Sequence, residues 1–418
     1  MHNGWIVSNL DGVYSFLPLA HGYETAVELA LMMVGARITY YSGSLRNLLT
    51  DLQYAKPSLF IAVPRVLQRI QQQVINNFNQ QSWFKRKIIQ WCLWNQTLAV
   101  RKGRRVWLYD ALVFNKVKAM FGGRLRCLAS GAAPLSGELS EFLQVCFGVP
   151  ILEGYGLTET AAACSVTINN GYCVYYTVGA PLYGHEIKLV SIPEMGYTVD
   201  DQPCPRGEIL VRGPSMFCGY YKNPELTREV VEEDGWFHTG DIGQRNADGS
   251  LSIIDRKKSM LKLSQGEYVA VEAVEAVYSE CHCISQVFIY GNSYENCLVA
   301  IAAPNPEAIF SLAPSFGFEA VKKGDSDWKE KLVKICLDPR IVETILTELN
   351  EYGKRMGLQG YEMIKALYLD GNVAEMNQVF TVENGLMTPT FKLKRKDCYE
   401  QYRDVIDNLY VELHKKGL

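Results

Sequence analysis

The stretch ILEGYGLTET, residues 151–160, places Tyr155 between two glycines and follows it with two hydroxyls and a carboxylate. Glycine tolerates positive φ and lets the backbone come close to a ligand. The side-chain oxygens of Thr158 and Glu159 suit a phosphate and a magnesium ion. We therefore expect an exposed Tyr155 and a nucleotide site here, although the sequence contains no glycine-rich phosphate loop of the kind that ends in lysine.

The sequence before this stretch alternates between strand and helix patterns. A helical pattern follows His21, another spans 45–54, and residues 66–120 have the periodicity of long helices. The strand pattern RLRCLASG, from Arg124, runs into the turn GAAPLSG. Such alternation predicts an α/β fold, with helices layered on a largely parallel sheet. Buried-strand patterns lie at 13–19, 37–41 and 58–63.

The sequence after Thr160 changes character twice. Short strands separated by glycine and proline turns first predict a β-rich subdomain. Beyond a charged linker near 255–258, the pattern changes to that of a compact α+β unit with a helical tail. We therefore expect a large domain over 1–256 and a small domain over 257–418. The small domain is predicted to contain a helix at 270–278 and strands at 287–290 and 298–302.

The composition excludes some classes of protein. The 418 residues, 48% apolar and 21% charged, are typical of a globular protein with more than one domain. A net charge of -3 gives no argument for nucleic acid, and no run of about 18 apolar residues predicts a membrane span. The 12 cysteines are scattered, which favours a reducing compartment. Cys281 and Cys283 flank His282 without a second ligand pair, so we interpret them as part of a helix-to-strand turn.

Two further stretches carry groups that could bind a ribose or a phosphate. In GWFHTGDIG, residues 235–243, Asp241 follows a tight glycine turn and could accept hydrogen bonds from both ribose hydroxyls. A Gly-Asp pair taken alone is more often a simple turn. In IIDRKKSMLKLSQGEY, residues 253–268, Arg256 could bind ribose or phosphate oxygens, or it could belong to a solvated run of charge.

A last stretch, NGLMTPTFKLKR at 384–395, places a lysine between apolar neighbours. A mobile loop could deliver Lys392, framed by Phe391 and Leu393, into a pocket. An ammonium group there could neutralise a carboxylate as it attacks a phosphate. The alternative is a basic cluster on the surface.

Taken together, these stretches resemble the adenylate-forming superfamily, and within it the eukaryotic-type long-chain fatty acyl-CoA synthetases. Each motif alone is weak, but their order and spacing are specific, and the resemblance covers essentially the whole chain. Further stretches match the same family: SFLPLAH at 15–21, VPRVLQRI at 63–70, GAAPLS at 131–136 and IIDRKK at 253–258.

The resemblance implies a ligase that performs two half-reactions. A long-chain fatty acid carboxylate would attack the α-phosphate of ATP, with Mg²⁺ bound, to give an acyl-adenylate and pyrophosphate. The thiol of coenzyme A would then displace AMP and form the thioester. The expected ligands are therefore a fatty acid, ATP, Mg²⁺ and CoA, and no nucleic acid is expected.

The resemblance also implies residue roles in the nucleotide site. It places the adenine against a turn, the ribose against a carboxylate and the magnesium ion on Glu159. Residue by residue, it assigns Gly131, Ala132 and Ala133 to the turn lining the adenine, Tyr155 to the base with Gly156 beside it, Thr158 to the α-phosphate, Asp241 to the ribose, and Arg256 to a ribose-phosphate contact.

Four residues are implied in catalysis or in domain motion. Lys392 would bridge the acyl carboxylate and the α-phosphate during adenylation. His21 matches a position near the acyl carboxylate, although a histidine satisfied by a backbone carbonyl is an equal alternative. In this family the small domain rotates between the half-reactions, with the pivot at Lys258, and the loop around Gly266 would then approach the path of the thiol.

The beginning of this sequence departs from the pattern of the family. The loop that cradles the β- and γ-phosphates would precede residues 15–21 by a few tens of residues, so we expect it upstream of Met1, together with the first part of the large domain. We therefore expect this chain to be truncated and its own ligase activity to be impaired. The alternative is a non-catalytic homologue that binds AMP or acyl-adenylate and has a regulatory or scaffold role. The retained Glu159, Asp241 and Lys392 favour the ligase.

The segment 83–126 combines tryptophans with positive charge. Asp110 is the single acid between 85 and 126, and such a segment could rest on an anionic membrane surface. The alternative is a solvated helical hairpin with its tryptophans in the core. We expect a cytosol-facing protein, peripheral on the endoplasmic reticulum, mitochondria or peroxisomes. The residues concerned are Trp83, Trp91, Trp94, Trp107, Lys85, Arg86, Lys87, Arg101, Lys102, Arg104, Arg105, Lys116, Lys118, Arg124 and Arg126.

Overall fold

A computed structural model of the chain describes residues 7–44, 47–167, 176–374 and 377–416. The chain divides into two compact units, Met1–Ile253 and Ile254–Leu418. The strands of the first unit are β1 (Gly12–Ser15), β2 (Arg37–Tyr40), β3 (Leu59–Ala62), β4 (Cys127–Ser130), β5 (Ile151–Tyr155), β6 (Ser165–Val166), β7 (Ala180–Pro181), β8 (Glu186–Val190), β9 (Arg206–Arg212), β10 (Phe237–Arg245) and β11 (Leu251–Arg256), the last of which runs across the boundary.

Helices separate most of these strands, as the sequence predicted for an α/β fold. They are α1 (Gly22–Met33), α2 (Leu48–Ala55), α3 (Pro64–Asn79), α4 (Trp83–Arg101), α5 (Trp107–Tyr109), α6 (Asn115–Ala119), α7 (Gly137–Phe147) and α8 (Pro224–Val230), with a π-helical segment at Asp110–Phe114 and 3₁₀ turns at Thr158–Thr160 and Pro193–Met195.

The main sheet of the first unit has the order β2-β1-β3-β4-β5-β6-β7. Its first five strands pair in parallel, and β6 and β7 add to it antiparallel. The prediction of a largely parallel sheet is therefore confirmed. A second sheet, β11-β10-β9-β8, pairs β10 with β9 and β9 with β8 antiparallel, which confirms the predicted β-rich subdomain.

A chain of aromatic rings holds helices against the main sheet. Phe60 on β3 stacks on Phe16 at 5.8 Å between ring centroids and meets Phe121 edge-on at 5.1 Å. Phe121, which follows α6, in turn meets Phe147 of α7 at 4.6 Å. Such pairs contribute about 0.5–1.5 kcal/mol each beyond the burial of their area. These ring contacts connect α7 and the end of α6 to the strands whose ends form the site described below.

Some element boundaries differ from the sequence prediction. The first strand ends at Ser15 rather than at residue 19, because Pro18 has no N–H to donate to a ladder and the chain turns there toward α1. The predicted helix 45–54 is observed from Leu48, and residues 45–46 lie outside the described residues. The long helical region is interrupted after Arg101, where Gly103 has a φ of 66°.

The second unit is built on a small sheet of order β14-β15-β16, with a separate hairpin of β12 and β13. The sheet pairs β14 with β15 antiparallel and β15 with β16 in parallel. Its elements are β12 (Met260–Lys262), β13 (Tyr268–Ala270), α9 (Val271–Tyr278), β14 (Ile284–Tyr290), β15 (Leu298–Pro304), α10 (Pro306–Leu312), α11 (Trp328–Cys336), α12 (Pro339–Arg355), β16 (Ile364–Leu369) and α13 (Arg395–Lys415), with 3₁₀ turns at Ala313–Phe316 and Gly360–Glu362.

An ion pair fixes the beginning of α13 to the core of the second unit. The Arg395 guanidinium donates to Glu275 of α9 at 2.8 Å and to the carbonyl of Ile289 on β14. The same Glu275 oxygen accepts the Ile289 N–H at 2.8 Å. Glu275 is buried, and loss of one partner of a buried ion pair is strongly destabilising.

Among the described residues, no helix combines the length and the apolar character needed to cross a membrane. The cysteines of the described residues are free thiols.

Candidate active site

The candidate site lies where neighbouring parallel strands end. β4 and β5 pair in parallel, with Ser130 opposite Glu153, so the turns that follow them leave the same edge of the sheet. Gly131 begins the turn after β4, and Gly156 begins the turn after β5. In open α/β sheets, ligands bind in the crevice outside the carboxyl ends of the strands. The structure therefore brings two of the predicted nucleotide-binding stretches together.

The start of α1 packs against both turns. A Cβ at Gly131 would lie 3.2 Å from the Tyr23 ring, and one at Gly22 would lie 3.8 Å from the backbone nitrogen of Ala162. Ala132, in the first turn, has a φ of 69°, and Ala133 is exposed. The aromatic ring that lines this turn is thus Tyr23, which sequence reasoning missed because a tyrosine in an amphipathic helix carries no motif of its own.

His21 forms the N-terminal cap of α1. Its Nδ1 accepts a hydrogen bond from the Tyr23 N–H at 3.2 Å, which corresponds to the neutral ring with the proton on Nε2. This bond occupies Nδ1 only, and a backbone carbonyl as the partner of the other ring nitrogen stays a prediction. His21 therefore lies at the same edge of the sheet as the turns after β4 and β5.

The turn after β5 requires glycine at one position. A Cβ at Gly156 would lie 1.4 Å from the Ala162 carbonyl oxygen, which no other residue could tolerate. The chain then forms one 3₁₀ turn, closed by a 2.9 Å hydrogen bond from the Leu157 N–H to the Thr160 hydroxyl. In this turn Thr158 is exposed and Glu159 is partly exposed. The close approach thus presents a hydroxyl and a carboxylate to solvent.

Tyr155 and Asp241 meet in a buried hydrogen bond. The tyrosine hydroxyl donates to the Asp241 carboxylate at 2.7 Å, and the two residues are only 8% and 3% exposed. Burial, and next the negative charge of Asp241, hold the pKa of Tyr155 well above its ordinary value. The expectation of an exposed Tyr155 is therefore wrong, because its ring packs among apolar residues of the second sheet. These are Ile209, Val211 and Leu251.

An irregular pairing of β10 with β9 positions Asp241. The register shifts between His238 and Ile242, and Gly240 in between has a φ of 70°. The Asp241 N–H donates to the Thr239 hydroxyl at 3.1 Å. A bulge of this kind redirects a side chain locally. Here it turns the Asp241 carboxylate toward Tyr155, which belongs to the main sheet.

Glu159 has an aromatic partner that sequence reasoning missed. The Tyr220 hydroxyl donates to Glu159 Oε1 at 2.9 Å, and the Phe217 N–H donates to the Glu159 carbonyl at 2.8 Å. Partial burial, and next the bond to Glu159, raise the pKa of Tyr220 to about 12. The tyrosine therefore remains a donor at neutral pH and orients the carboxylate. The only sequence signal was the aromatic cluster in FCGYY, which lacks a recognised motif.

Glu153 is a second carboxyl group at this edge. It lies on the same face of β5 as Tyr155, because side chains alternate along a strand, and it is buried. Its backbone N–H donates to the Thr167 hydroxyl at 2.8 Å. Burial raises the pKa of Glu153 to about 8, so the side chain is largely neutral at neutral pH.

Arg256, Lys258 and Gly266 belong to the second unit. Arg256 ends β11 and is exposed, as is Lys258 two residues later. Asp255 beside them is buried and accepts the Arg256 N–H at 2.6 Å, and burial raises the pKa of this carboxyl to about 7. Gly266 lies at the tip of the β12–β13 hairpin with a φ of 96°. Its left-handed backbone is the conformation that favours glycine.

Lys392 lies in a tight turn before α13. The Thr388 N–H donates to the Lys392 carbonyl at 2.8 Å, and the Lys392 N–H donates back to the Thr388 hydroxyl at 3.1 Å. Phe391 has a φ of 62°, and Lys392 itself is partly exposed. The backbone of the lysine is therefore fixed by the turn, and Arg395 fixes the end of the turn to the core of the second unit.

A parallel sheet with glycine turns at its carboxyl edge places the chain in the class of α/β proteins that bind ligands at that edge. The family model described as AMP-binding enzyme matches residues 1–221. The chain belongs to this family.

Relatives with similar sequences specify the family further. Over 96% of this chain, it is 43% identical to long chain acyl-CoA synthetase 6, peroxisomal, of Arabidopsis thaliana, and covers 55% of that protein. It is 41% identical to fatty acyl-CoA synthetase A of Dictyostelium discoideum over 95% of this chain and 58% of the relative. Identity to human long-chain-fatty-acid--CoA ligase 1 is 37%, over 96% of this chain and 54% of that protein. The chain thus spans little more than half the length of these relatives.

Solved structures agree with the α/β assignment. The adenylation domain of a carboxylate reductase from Mycobacterium chelonae superposes with a TM-score of 0.75 at 29% identity, over 96% of this chain and 54% of that one. The A domain of a carboxylic acid reductase from Segniliparus rugosus, solved with AMP and a co-purified carboxylic acid, gives 0.74 at 27% identity, over 96% and 55%. The predicted resemblance to the adenylate-forming superfamily is therefore confirmed.

Replacing Gly156 with alanine should destabilise the first unit severely. The new methyl group would meet the Ala162 carbonyl oxygen, so the turn would have to move, and we expect a loss of about 3 kcal/mol or more in the free energy of unfolding. Urea denaturation measures it. Gly154→Ala, two residues earlier on β5, is the matched control, since its Cβ would lie 3.6 Å from the Ser165 carbonyl oxygen, an ordinary contact. Equal stability of the two variants would contradict the close approach.

The Glu153→Gln variant should change the pH dependence of stability. The folded-state pKa of about 8 exceeds the ordinary 4.5, so the folded protein retains a proton that the unfolded chain loses. The stability of the unmodified protein therefore falls as the pH rises from 4.5 to 8, and the glutamine variant lacks this contribution. Above pH 8 we expect the variant to be more stable by about 1–4 kcal/mol, with no such gain below pH 4.5.

Urea denaturation between pH 4 and pH 9 measures the difference between the two proteins. Glu194→Gln, at an exposed position, is the control, and its curve should follow that of the unmodified protein. Parallel curves for Glu153→Gln and the unmodified protein would show that the carboxyl is ionised in the folded state.

Proposed function

We propose that the full-length protein is an ATP-dependent long-chain fatty acid–CoA ligase that works through an acyl-adenylate. The observation that carries the proposal is the grouping at the edge of the main sheet, where Thr158 and Glu159 leave β5 beside the Tyr155–Asp241 pair. The long-chain acyl-CoA synthetases to which the chain is 37–43% identical support the substrate class.

In the proposed site the nucleotide lies along the edge of the sheet. Gly131, Ala132 and Ala133 would line the adenine, and Asp241 would accept hydrogen bonds from the ribose hydroxyls. Since Asp241 already accepts the Tyr155 hydroxyl, the tyrosine would hold the carboxylate in place for the sugar. Tyr155 is thus a positioning residue as well as part of the wall beneath the base.

Thr158 and Glu159 are proposed to meet the phosphates. Glu159 offers carboxylate oxygen, the donor type that Mg²⁺ prefers, and Tyr220 orients it, so these residues fit the ion. Mg²⁺, when bound, neutralises charge on the phosphates. The Thr158 hydroxyl would donate to the α-phosphate, while Arg256 would contact ribose or phosphate oxygens.

Lys392 is proposed to serve the first half-reaction. A fatty acid carboxylate oxygen forms a bond to the α-phosphorus as the bond to the β-phosphate oxygen breaks, and pyrophosphate leaves. Two anions approach each other in this step, so an ammonium that contacts both stabilises the developing charge. His21 would lie near the carboxylate.

The second half-reaction needs other groups. The CoA sulfur forms a bond to the acyl carbonyl carbon, the bond from that carbon to the AMP phosphate oxygen breaks, and the thiol proton passes to solvent as AMP leaves. We propose that Lys258 is the pivot of the second unit between the half-reactions, and that the hairpin tip at Gly266 borders the path of the thiol. The exposed position of Lys258 beside the end of β11 is compatible with such a pivot.

Lys392→Ala should abolish acyl-adenylate formation and spare thioester formation from supplied acyl-adenylate. The lysine charge is needed only while the carboxylate attacks phosphorus, so pyrophosphate release from ATP and palmitate should fall by about 100-fold or more. Lys394→Ala is the matched control, because Lys394 is exposed and paired with Asp397 at 3.6 Å. Equal loss of both half-reactions in Lys392→Ala would contradict the assigned role. AMP binding by the unmodified full-length protein without any pyrophosphate release would instead establish the non-catalytic alternative.

We also propose that α4 and the turn after it rest on an anionic membrane, where a long-chain fatty acid resides. Trp94 is 68% exposed and Trp107 is 77% exposed, and Trp83 and Trp91 are exposed too, so the alternative of tryptophans in the core is wrong. Trp83, Trp91 and Trp94 share one face of α4, since they follow a spacing of eight and three residues. Such an aromatic face, flanked by lysine and arginine, is typical of a helix lying in a membrane interface.

The charges around this face are of two kinds. Arg105 donates at 2.8 Å to Asp110 and at 2.9 Å to the carbonyl of Val145, so it fixes α7. Lys118 pairs with the same Asp110 at 3.0 Å. These two basic residues are structural, whereas Lys87, Lys102 and Arg104 are exposed and could meet lipid phosphates.

The variant Lys87→Glu/Lys102→Glu/Arg104→Glu should lose binding to anionic vesicles. Each basic residue near an anionic surface contributes about 1 kcal/mol, so reversal of three charges should lower the partition coefficient by at least about 100-fold. Co-sedimentation with phosphatidylserine-containing and pure phosphatidylcholine vesicles measures this. Lys322→Glu/Lys323→Glu/Lys329→Glu, at exposed positions of the second unit, is the control for net charge. Failure of the unmodified protein to bind anionic vesicles would contradict the proposal.

A further inference from the structure

Four side chains of types that commonly bind metal ions lie together at the turn between α9 and β14. Cys281, His282 and Cys283 follow one another in this turn, and Glu348 of α12 lies beside them. The sequence favoured a simple turn over a zinc site, because Glu348 is distant along the chain. None of these residues belongs to the proposed ligase site.

The donor atoms are close to one another. A Cys281 sulfur, a His282 ring nitrogen and a Glu348 carboxylate oxygen all lie within 4.8 Å of each other, and His282 Nδ1 is 3.2 Å from Glu348 Oε1. The sulfur of Cys283 is 3.2 Å from that of Cys281. Ligand atoms around one tetrahedral Zn²⁺ lie about 3.3–3.8 Å apart, as follows from metal–ligand distances of about 2.0–2.3 Å. Small side-chain rotations would therefore suffice for coordination.

We propose that Cys281, His282 and Glu348 bind a divalent transition-metal ion, Zn²⁺ in the first instance. The sulfur of Cys283 would lie beside the fourth coordination position of this ion. A thiolate, a neutral imidazole and a carboxylate form a donor set that Zn²⁺ takes in proteins. Their charges also match the ion, because one thiolate and one carboxylate balance two positive charges. A hard cation such as Mg²⁺ would not use the sulfur.

The surroundings provide both rigidity and access. The Cys281 N–H donates to the carbonyl of Tyr278 at 3.0 Å, which continues the end of α9. Asn305, before α10, donates from its side chain to the His282 carbonyl at 2.9 Å and from its backbone to the Cys283 carbonyl at 2.9 Å. The turn is thus held by hydrogen bonds that leave the donor atoms to the metal.

Access to this site comes from the side of the imidazole. His282 is 76% exposed at its side chain, whereas both cysteines are buried. An ion can therefore reach the sulfur past the histidine, and the buried thiols limit competing reactions with bulky oxidants. Bound there, the ion would join the α9–β14 turn to α12 and stabilise the second unit.

Cobalt and zinc titrations of the reduced, chelator-treated protein test the proposal. Co²⁺ should give a thiolate-to-cobalt charge-transfer band that saturates at one ion per chain and is displaced by Zn²⁺. Zn²⁺ should also raise the melting temperature of the protein in a concentration-dependent manner. Cys281→Ser should remove the charge-transfer band, while His282→Asn and Glu348→Gln should raise the dissociation constant by at least about tenfold.

Matched controls separate this site from adventitious binding. His414 pairs with Glu295 at 2.8 Å outside the cluster, so His414→Asn should bind as the unmodified protein does. Cys218→Ser controls for the exposed thiol. Since His282 and Glu348 lie at the surface side of the cluster, their variants should fold even if Cys281→Ser does not.

Three results of the titrations would overturn the proposal. They are the absence of the charge-transfer band in the unmodified protein, its persistence in Cys281→Ser, and unchanged affinity in both His282→Asn and Glu348→Gln. A disulfide between Cys281 and Cys283 that persists under the reducing conditions and excludes cobalt would equally overturn it. Pyrophosphate release plays no part in these measurements, so their outcome is independent of the proposed ligase activity.

Discussion

The buried hydrogen bond between Tyr155 and Asp241 is the constraint on which the candidate site depends. It joins the end of a parallel strand to a bulge in an antiparallel one, and so it fixes two sheets of the first unit relative to each other at the edge where a ligand would lie. Desolvating a carboxylate costs several kcal/mol unless strong hydrogen bonds satisfy it. Asp241 is therefore held in one place, and a group held in one place can recognise the hydroxyls of a sugar without reorganising.

The turn after β5 extends this constraint to the phosphates. Gly156 lets the chain pass close to Ala162, and the next residues form a single 3₁₀ turn whose outer side carries Thr158 and Glu159. Tyr220 then orients Glu159 through one hydrogen bond. Asp241 and Glu159, two of the groups proposed to meet a nucleotide, are thus each held by a tyrosine hydroxyl, which is how rigid sites keep their geometry.

Much of this arrangement follows from the sequence, and the rest fails for identifiable reasons. Strand and helix periodicity predicted the parallel sheet, and the order of the motifs predicted the family. The burial of Tyr155 could not be predicted, because it depends on Ile209 and Leu251, which reach the ring only through the second sheet. The contacts of Tyr23 and Tyr220 with the site were not predicted for a related reason, since the residues they contact are distant in sequence. The exposure of Trp94 was equally undecided, because helical periodicity alone does not say which face meets a core.

Arg395 gives the lysine turn an unexpected property. Its guanidinium closes a charge pair inside the second unit and lies three residues after Lys392. The turn that carries Lys392 is thus anchored, three residues further along the chain, by the ion pair between Arg395 and Glu275. Only Leu393 and Lys394 lie between this ion pair and Lys392, whose backbone is hydrogen-bonded to Thr388. A redesign that moves the Lys392 ammonium should therefore change residues between Thr388 and Lys392. Loss of the Arg395–Glu275 ion pair would instead destabilise the whole second unit.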